Sequence, residues 1–405
     1  MNNDGARIER SGTALNAPSW GVPMPGRTIF EREHEDFRGS VREFLAREAH
    51  PHLDTYIGGR CLPRQYWLAA GSQGLLGLEI PEQYGGAFAD DYRYNAVLTE
   101  ELARVNMALA SATGIHFDVV MPYLVNLTTE EQRQRWLPRC ASGEILTAIG
   151  MTEPSTGSDL AALRTSAERV EGGWRLNGAK TFITNGHSAD LVIVAARTTA
   201  GARARGITLL VVEDGMTGFA RGRKLDKVGQ PEADTAELFF DNTFVPDDNV
   251  IGDVDGGFAH MMNWLPQERI GSAVTNVAHA DQILGETIEY AKQRQAFGQP
   301  VGSFQANKFL IAELVTQVEV TQTYVDQCVL AHSRGELTAV DAAKAKWWSA
   351  EVQNRVIDHC LQLHGGYGYM NEQRVARAWK DARVSKIWAG SNEIMKEIIG
   401  RDLGL

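Results

Sequence analysis

From about residue 28 to 145 the apolar positions recur at helical spacing. Phe37, Val41, Phe44 and Leu45 share one face, and Val97, Leu98, Glu101 and Leu102 trace a second stripe. "EIPEQYGG" (79–86) reads as a Pro/Gly turn between helical blocks. Near residue 146 the texture changes. "LTAIGMT", "LRTSAERV", "WRLNGAKTFIT", "DLVIVAAR", "GITLLVVE" and "TAELFFDNTFV" are short runs rich in β-branched and aromatic residues, separated by Gly, Asn and Asp. They predict a string of strands and turns. After "NVIGDVDGGF" the helical period returns, with Leu310, Leu314, Val318, Val325 and Cys328 on one stripe. Segments 258–292, 304–333, 338–363 and 372–398 predict four helices that close as an antiparallel bundle.

The expected class is α+β. A flexible lead-in over 1–25 precedes an N-terminal helical domain over 26–145. A central antiparallel β domain over 146–252 and a C-terminal four-helix bundle over 253–405 follow. Segregated helices and strands argue against a doubly wound α/β fold.

One residue disturbs the C-terminal pattern. Met261, Leu265, Glu268 and Ser272 fall on one side of a helix, and a carboxylate on an apolar stripe is costly unless paired, protonated or used. Arg269 follows directly, but adjacent residues on a helix diverge rather than pair. Pro266 is expected to kink or restart this helix.

Bulk properties narrow the function. The chain has 405 residues, 43% apolar and 22% charged, as in a soluble globular protein with a large core. A net charge of −11 disfavours a broad nucleic-acid surface. Cys61, Cys140, Cys328 and Cys360 are far apart, and no H-E-x-x-H occurs, so neither a disulfide framework nor a metal site is implied. "MNNDGARIER" lacks the apolar core of a signal peptide, and apolar runs such as 191–196 are too short to span a bilayer. A reducing, cytoplasmic setting is the expectation.

Five motifs carry possible chemistry. "MTEPSTGSD" (151–159) leaves a strand in a turn whose N–H groups and hydroxyls could line an anion or a flat polar ring, or form a plain surface turn. "GWRLNGAKT" (173–181) misses the phosphate-loop pattern at Ala179 and lies between strands, so Asn177-Gly178 reads as a hairpin turn, followed by "FITNG" (182–186). "RQAFGQP" (294–300) offers Arg294 to a pyrophosphate or to a surface ion pair. "QLHGGYGYM" (362–370) allows close approach to bare backbone, or simply caps a helix. "WAGSNEIMKEIIG" (388–400) starts an amphipathic helix at Ser391, a good N-cap whose helix end also attracts negative charge.

In this order and at these spacings the motifs resemble the successive signatures of the acyl-CoA dehydrogenase family, over about residues 28–405. The resemblance implies a non-covalent FAD enzyme, usually a homotetramer, that oxidises the α,β carbon–carbon bond of an acyl thioester. It implies that Met151, Thr152, Ser158, Ile183 and Thr184 face the flavin. Arg294, Phe297 and Gln305 would reach a neighbouring subunit's FAD. Gln362, Gly365 and Gly366 would follow its adenosine part, and Ser391 and Glu393 would be further flavin contacts. Ser158, Met262, Arg269, Trp388, Ala389 and Gly390 would border the substrate.

Many members carry their catalytic base as the Glu of a "Y-E-G-T" stretch. The match here is Trp388-Ala389-Gly390-Ser391, and alanine cannot remove a proton. In a subset resembling the long-chain and isovaleryl enzymes the base is the Glu of an earlier Glu-Arg pair, and "LPQER" puts Glu268 at that point. The resemblance further implies an electron-transfer flavoprotein as acceptor. Alternatives are an acyl-carrier-protein-linked substrate, a flavin-dependent monooxygenase or oxidase on the same fold, and a DNA-associated member, which the charge disfavours.

Overall fold

The computed structural model describes residues 27–405; the lead-in expected over 1–25 lies outside them. The first stretch is helical: α1 (Arg32–Glu48), α2 (Leu53–Gly59), α3 (Arg64–Ser72), α4 (Arg93–Val105), α5 (Met107–Gly114), α6 (Met121–Asn126) and α7 (Glu130–Ala141). The α1 stripe buries Val41, Phe44 and Leu45 against Leu98 and Leu102 of α4. Glu101 shares that seam because Arg38 and Arg42 each donate to its carboxylate at 2.8 Å. Asn106 starts α5 by accepting from the Ala108 and Leu109 N–H groups, and a Thr129–Gln132 capping box starts α7.

Between α5 and α6 lies a π-helical turn, Ile115–Val120, so that 107–126 forms one helical rod. By length and composition this rod could cross a membrane, contrary to the expectation that every apolar run is too short. Within the fold, 78% of its most apolar window is buried, which makes it a core helix.

The middle stretch is one eight-stranded sheet: β1 (Thr147–Gly150), β2 (Ser166–Val170), β3 (Gly173–Thr184), β4 (Leu191–Arg197), β5 (Ile207–Glu213), β6 (Phe219–Lys224), β7 (Thr235–Pro246) and β8 (Val250–Ile251). The order is β6-β7-β3-β2-β4-β5-β8, with β1 beside β4. Most pairings are antiparallel, but β1–β4 and the single β2–β4 pairing are parallel. Asn177-Gly178 is not the expected hairpin turn. β2 already turns into β3 at Glu171-Gly172, and β3 runs on through Gly178. Gly178 instead occupies a bulge against β7 at φ +143°, and a Cβ there would meet Thr165 at 2.6 Å.

The last stretch begins with α8 (Gly257–Gln293), followed by a small hairpin of β9 (Gln295–Ala296) and β10 (Gln299–Pro300). Then come α9 (Gln305–Ser333), α10 (Ala339–His364), α11 (Arg374–Ala382) and α12 (Asn392–Asp402). The fourth expected helix is therefore two, separated by a 3-10 turn and by residues 387–391. Helix α8 neither stops nor restarts at Pro266. The carbonyl that Pro266 leaves without a helical donor belongs to Met262, an exposed residue within reach of water. One core joins α4, α8, α9 and α10 through Val97, Ile270, Val274, Leu314, Val325, Val356 and Ile357. Each such side chain contributes about 1.5–3 kcal/mol by leaving water.

Candidate active site

A cavity of about 230 Å³ lies where the three stretches meet. Helix α8 supplies Glu268, Gly271, Ser272 and Thr275; the helical rod supplies Ala110, Ser111, Gly114, Ile115, Asp118 and Val119. Ile149, Met151 and Thr152 come from the end of β1 and the turn after it, Ile183 and Thr184 from the end of β3, and Trp388 and Ala389 from the break before α12.

The β-side wall is held by local devices. β3 slips register between Lys180 and Ile183, with Phe182 at φ +59°. Phe182 is turned outward and Ile183 inward, the re-aiming a bulge produces. Lys180 is fully buried; its Nζ donates to the Met151 carbonyl at 3.1 Å and to Glu153 Oε1 at 2.8 Å. The Glu153 carboxylate also accepts the N–H groups of Arg164 and Thr165. The turn that presents Met151 and Thr152 is thus tied to β3. Burial, opposed by Glu153, brings the Lys180 ammonium down to about 8.

The opposite wall bends sharply. Ala389 sits at φ +53° and Gly390 at φ +87°. Buried Lys346 of α10 fixes that bend, donating to the Gly390 carbonyl at 2.6 Å and to Asn392 Oδ1 at 3.3 Å. Ser391 caps α12 through the Ile394 N–H. The Ala389 N–H donates to no acceptor among the described residues.

Glu268 faces this cavity and forms no hydrogen bond or salt bridge among the described residues. Burial pushes its carboxyl up to about 7; Asp118 adds to the shift, while Arg269 and Lys346 oppose it. Arg269 is buried outside the cavity lining, has no ion-pair partner of its own among the described residues, and leaves its Nε without an acceptor. Of the cavity-lining side chains, Ser272 and Trp388 each leave a buried polar atom, Oγ and Nε1, without a partner among the described residues.

Of the residues singled out in the sequence, Met151, Thr152, Ile183, Thr184, Glu268, Trp388 and Ala389 thus share one cavity, with Gly390 beside it. Arg294, Gly365 and Gly366 line a second cavity of about 510 Å³ with Tyr290, His364 and Tyr367. The Arg294 guanidinium lies 5.9 Å from the Tyr367 ring centre. The remainder line neither. Ser158, Met262, Gln305, Gln362 and Glu393 are exposed, and Phe297, in the β9–β10 turn, is 96% exposed.

The sequence reading passed over Glu79, Asp118, Lys180 and Lys346. The signal for the two acids was present: "LGLEIP" and "IHFDVV" each hold one carboxylate in an apolar run, as "LPQER" does.

Comparison with known proteins matches the whole described layout. Family models for the N-terminal, middle and C-terminal domains of acyl-CoA dehydrogenase match residues 31–144, 148–243 and 255–404. The mouse mitochondrial long-chain specific acyl-CoA dehydrogenase is 45% identical over 379 residues, covering 93% of this chain and 88% of that protein. The potato mitochondrial isovaleryl-CoA dehydrogenase is 36% identical over 377 residues, covering 93% and 91%. The crystal structure of an acyl-CoA dehydrogenase from Geobacillus kaustophilus superposes with a TM-score of 0.91 at 45% identity, covering 93% of this chain and 99% of that one.

Proposed function

The chain belongs to the acyl-CoA dehydrogenase family, and from that premise we propose that Glu268 is the base that takes the α-proton of an acyl-CoA thioester. The enzyme is an FAD-dependent oxidoreductase acting on a CH–CH bond. The cavity fits a flat polar ring. Ser272 Oγ and Trp388 Nε1 are buried on it without partners, and the pinned turn at Met151–Thr152 and the bulged end of β3 at Ile183–Thr184 form one wall. Those four residues would hold the flavin, which when bound supplies the acceptor for the β-hydride.

The chain's own part is proton removal and charge stabilisation. The α-proton of a thioester is very weakly acidic, so the enolate-like charge must be met as it forms. The unused Ala389 N–H is the donor for the thioester oxygen, and being main chain it survives the absence of a carboxylate at that position. Glu268 takes the proton from the other side. Its pKa of about 7 suits a base at neutral pH, and with no bonded donor among the described residues its charged form is unusually reactive. That unpaired, cavity-facing carboxylate is the observation that carries the reading. The test is anaerobic bleaching of bound flavin by acyl-CoA thioesters: the native enzyme bleaches, and Glu268→Gln retains flavin but does not.

Arg294, Phe297, Gln305 and Glu393 are assigned to FAD contacts in an assembled homotetramer, a reading supported by their exposed or half-exposed placement on a single chain. Ser158, Met262 and Arg269 are assigned to the entry for the thioester's carrier arm, and Gln362, Gly365 and Gly366 with Ser391 to the remainder of the cofactor. An electron-transfer flavoprotein is the acceptor we assign, and the cytoplasm the compartment; the four unpaired cysteines suit a reducing setting.

A further inference from the structure

Two carboxyl groups beside the cavity, Asp118 buried and Glu79 partly so, have no part in the chemistry above. Asp118 sits on the π-helical turn, lines the same cavity as Glu268 and is 4% exposed. Its Oδ1 accepts from Asn95 Nδ2 at 2.9 Å and Gln267 Nε2 at 3.2 Å, and its Oδ2 from the Tyr92 hydroxyl at 3.2 Å. Glu79 Oε1 accepts from the same two nitrogens, at 3.0 and 2.8 Å. The Gln267 amide is oriented by His332, whose Nε2 lies 3.0 Å from Gln267 Oε1 while its ring stacks on Tyr92 at 4.3 Å.

Two carboxyls sharing two donors in a buried site cannot both ionise cheaply. Burial and then the Asp118 charge push Glu79 up to about 8, whereas burial takes Asp118, with three donors, only to about 6. The three donors favour the ionised form at Asp118, and burial beside that charge favours the protonated form at Glu79.

The Asp118 carboxylate lies close to the helix that carries the base. Asp118 Oδ2 packs over the bare Cα of Gly271, where a Cβ would meet it at 2.3 Å. Gly271 lies three residues after Glu268 on α8, one turn along the same face. The other groups that face Glu268 are Arg269 on its own helix, Lys346 on α10 and the Tyr123 phenol on α6, which burial keeps neutral. The two cations draw the base toward ordinary carboxylate acidity; burial opposes them first, and Asp118 is the acid that adds to it.

We propose, resting on Glu268 as the base, that Asp118 is a positioning residue whose negative charge, seated over Gly271 one helical turn from Glu268, opposes the two cations that face the base. The test is the pH profile of kcat/KM for the FAD-loaded enzyme with one acyl-CoA. Asp118→Asn removes the charge and moves the acid limb to lower pH by about 0.5–1 unit. The plateau then falls only about two- to three-fold, because a less basic carboxylate is a slightly slower base. Glu79→Gln replaces a neutral acid with a neutral amide and leaves the limb in place. Asp118→Ser, which also removes the charge and leaves room for water, serves if the Asn variant does not fold. An unmoved limb in the Asp118 variants, or an equal shift in Glu79→Gln, overturns the proposal. Turnover persisting in Glu268→Gln would instead remove the assignment of the base itself.

Discussion

Glu268→Gln separates a catalytic base from a buried structural ion pair, because the two roles predict stability changes of opposite sign. Burial holds the Glu268 carboxyl at about 7 against an ordinary 4.5. A carboxyl raised in this way binds its proton more tightly in the folded chain. It therefore costs no stability below about pH 4.5, and the penalty grows through the window from 4.5 to 7 and is complete above it. Linkage puts the penalty below about 1 kcal/mol at pH 5 and at about 3 kcal/mol at pH 8. Glutamine carries no charge at either pH, and any cost of its unsatisfied amide is independent of pH. The variant should thus gain about 2 kcal/mol on the native protein between pH 5 and pH 8, read from urea unfolding of the two apoproteins at both values. Turnover should fall by about 10²–10⁴, the range for loss of a general base. If Glu268 were instead one half of a structural pair with Arg269, the same change would destabilise by about 3–5 kcal/mol at pH 8. A loss of stability at pH 8 with turnover intact would refute the reasoning.

The other expectations rest on neighbouring contacts. In the native enzyme the acid limb of kcat/KM falls near pH 7, and Asp118→Asn moves it to lower pH as set out above. Lys346→Met frees the Gly390 carbonyl and the bend that carries the Ala389 N–H; kcat/KM should drop about 10- to 100-fold with flavin retained. Lys180→Met releases the turn at Met151 and leaves Glu153 without its cation, so flavin retention on gel filtration should fall well below native. Arg38→Leu strips Glu100 and Glu101 of a shared buried partner and should cost about 3 kcal/mol in urea unfolding, without changing the pH profile.

The three-part layout was legible because the hydrophobic period itself switches, from 3.6 to 2 and back, near residues 146 and 252. Local turn chemistry was less dependable. Asn177-Gly178 has the composition of a tight hairpin turn, yet β3 is paired along nearly its whole length with β7. Turning at 177–178 would forfeit that pairing, so the chain turns at 171–172 and the glycine is spent on a bulge. Pro266 likewise does not restart the helix: α8 runs on through it, and the carbonyl it orphans belongs to an exposed residue. The Met107–Asn126 rod was overlooked because His116, Asp118 and Pro122 interrupt its apolar runs, although its length and burial are those of a core element.

The site divides in the same way. Glu268 stood out as a charge on an apolar stripe and was given a role only through its motif. Glu79 and Asp118 carry the same signal with no motif attached, and periodicity alone cannot say which of these three acids is the base. Their partners decide. Glu79 accepts from two donors and Asp118 from three, whereas Glu268 accepts from none among the described residues. Donors stabilise the ionised form and blunt its basicity. The acid left without them, on the cavity wall, is the one whose charged form gains most by taking a proton. Partner counts of this kind depend on side chains from β3, α4, α8 and α10 converging in space, so they become readable only once the chain is folded.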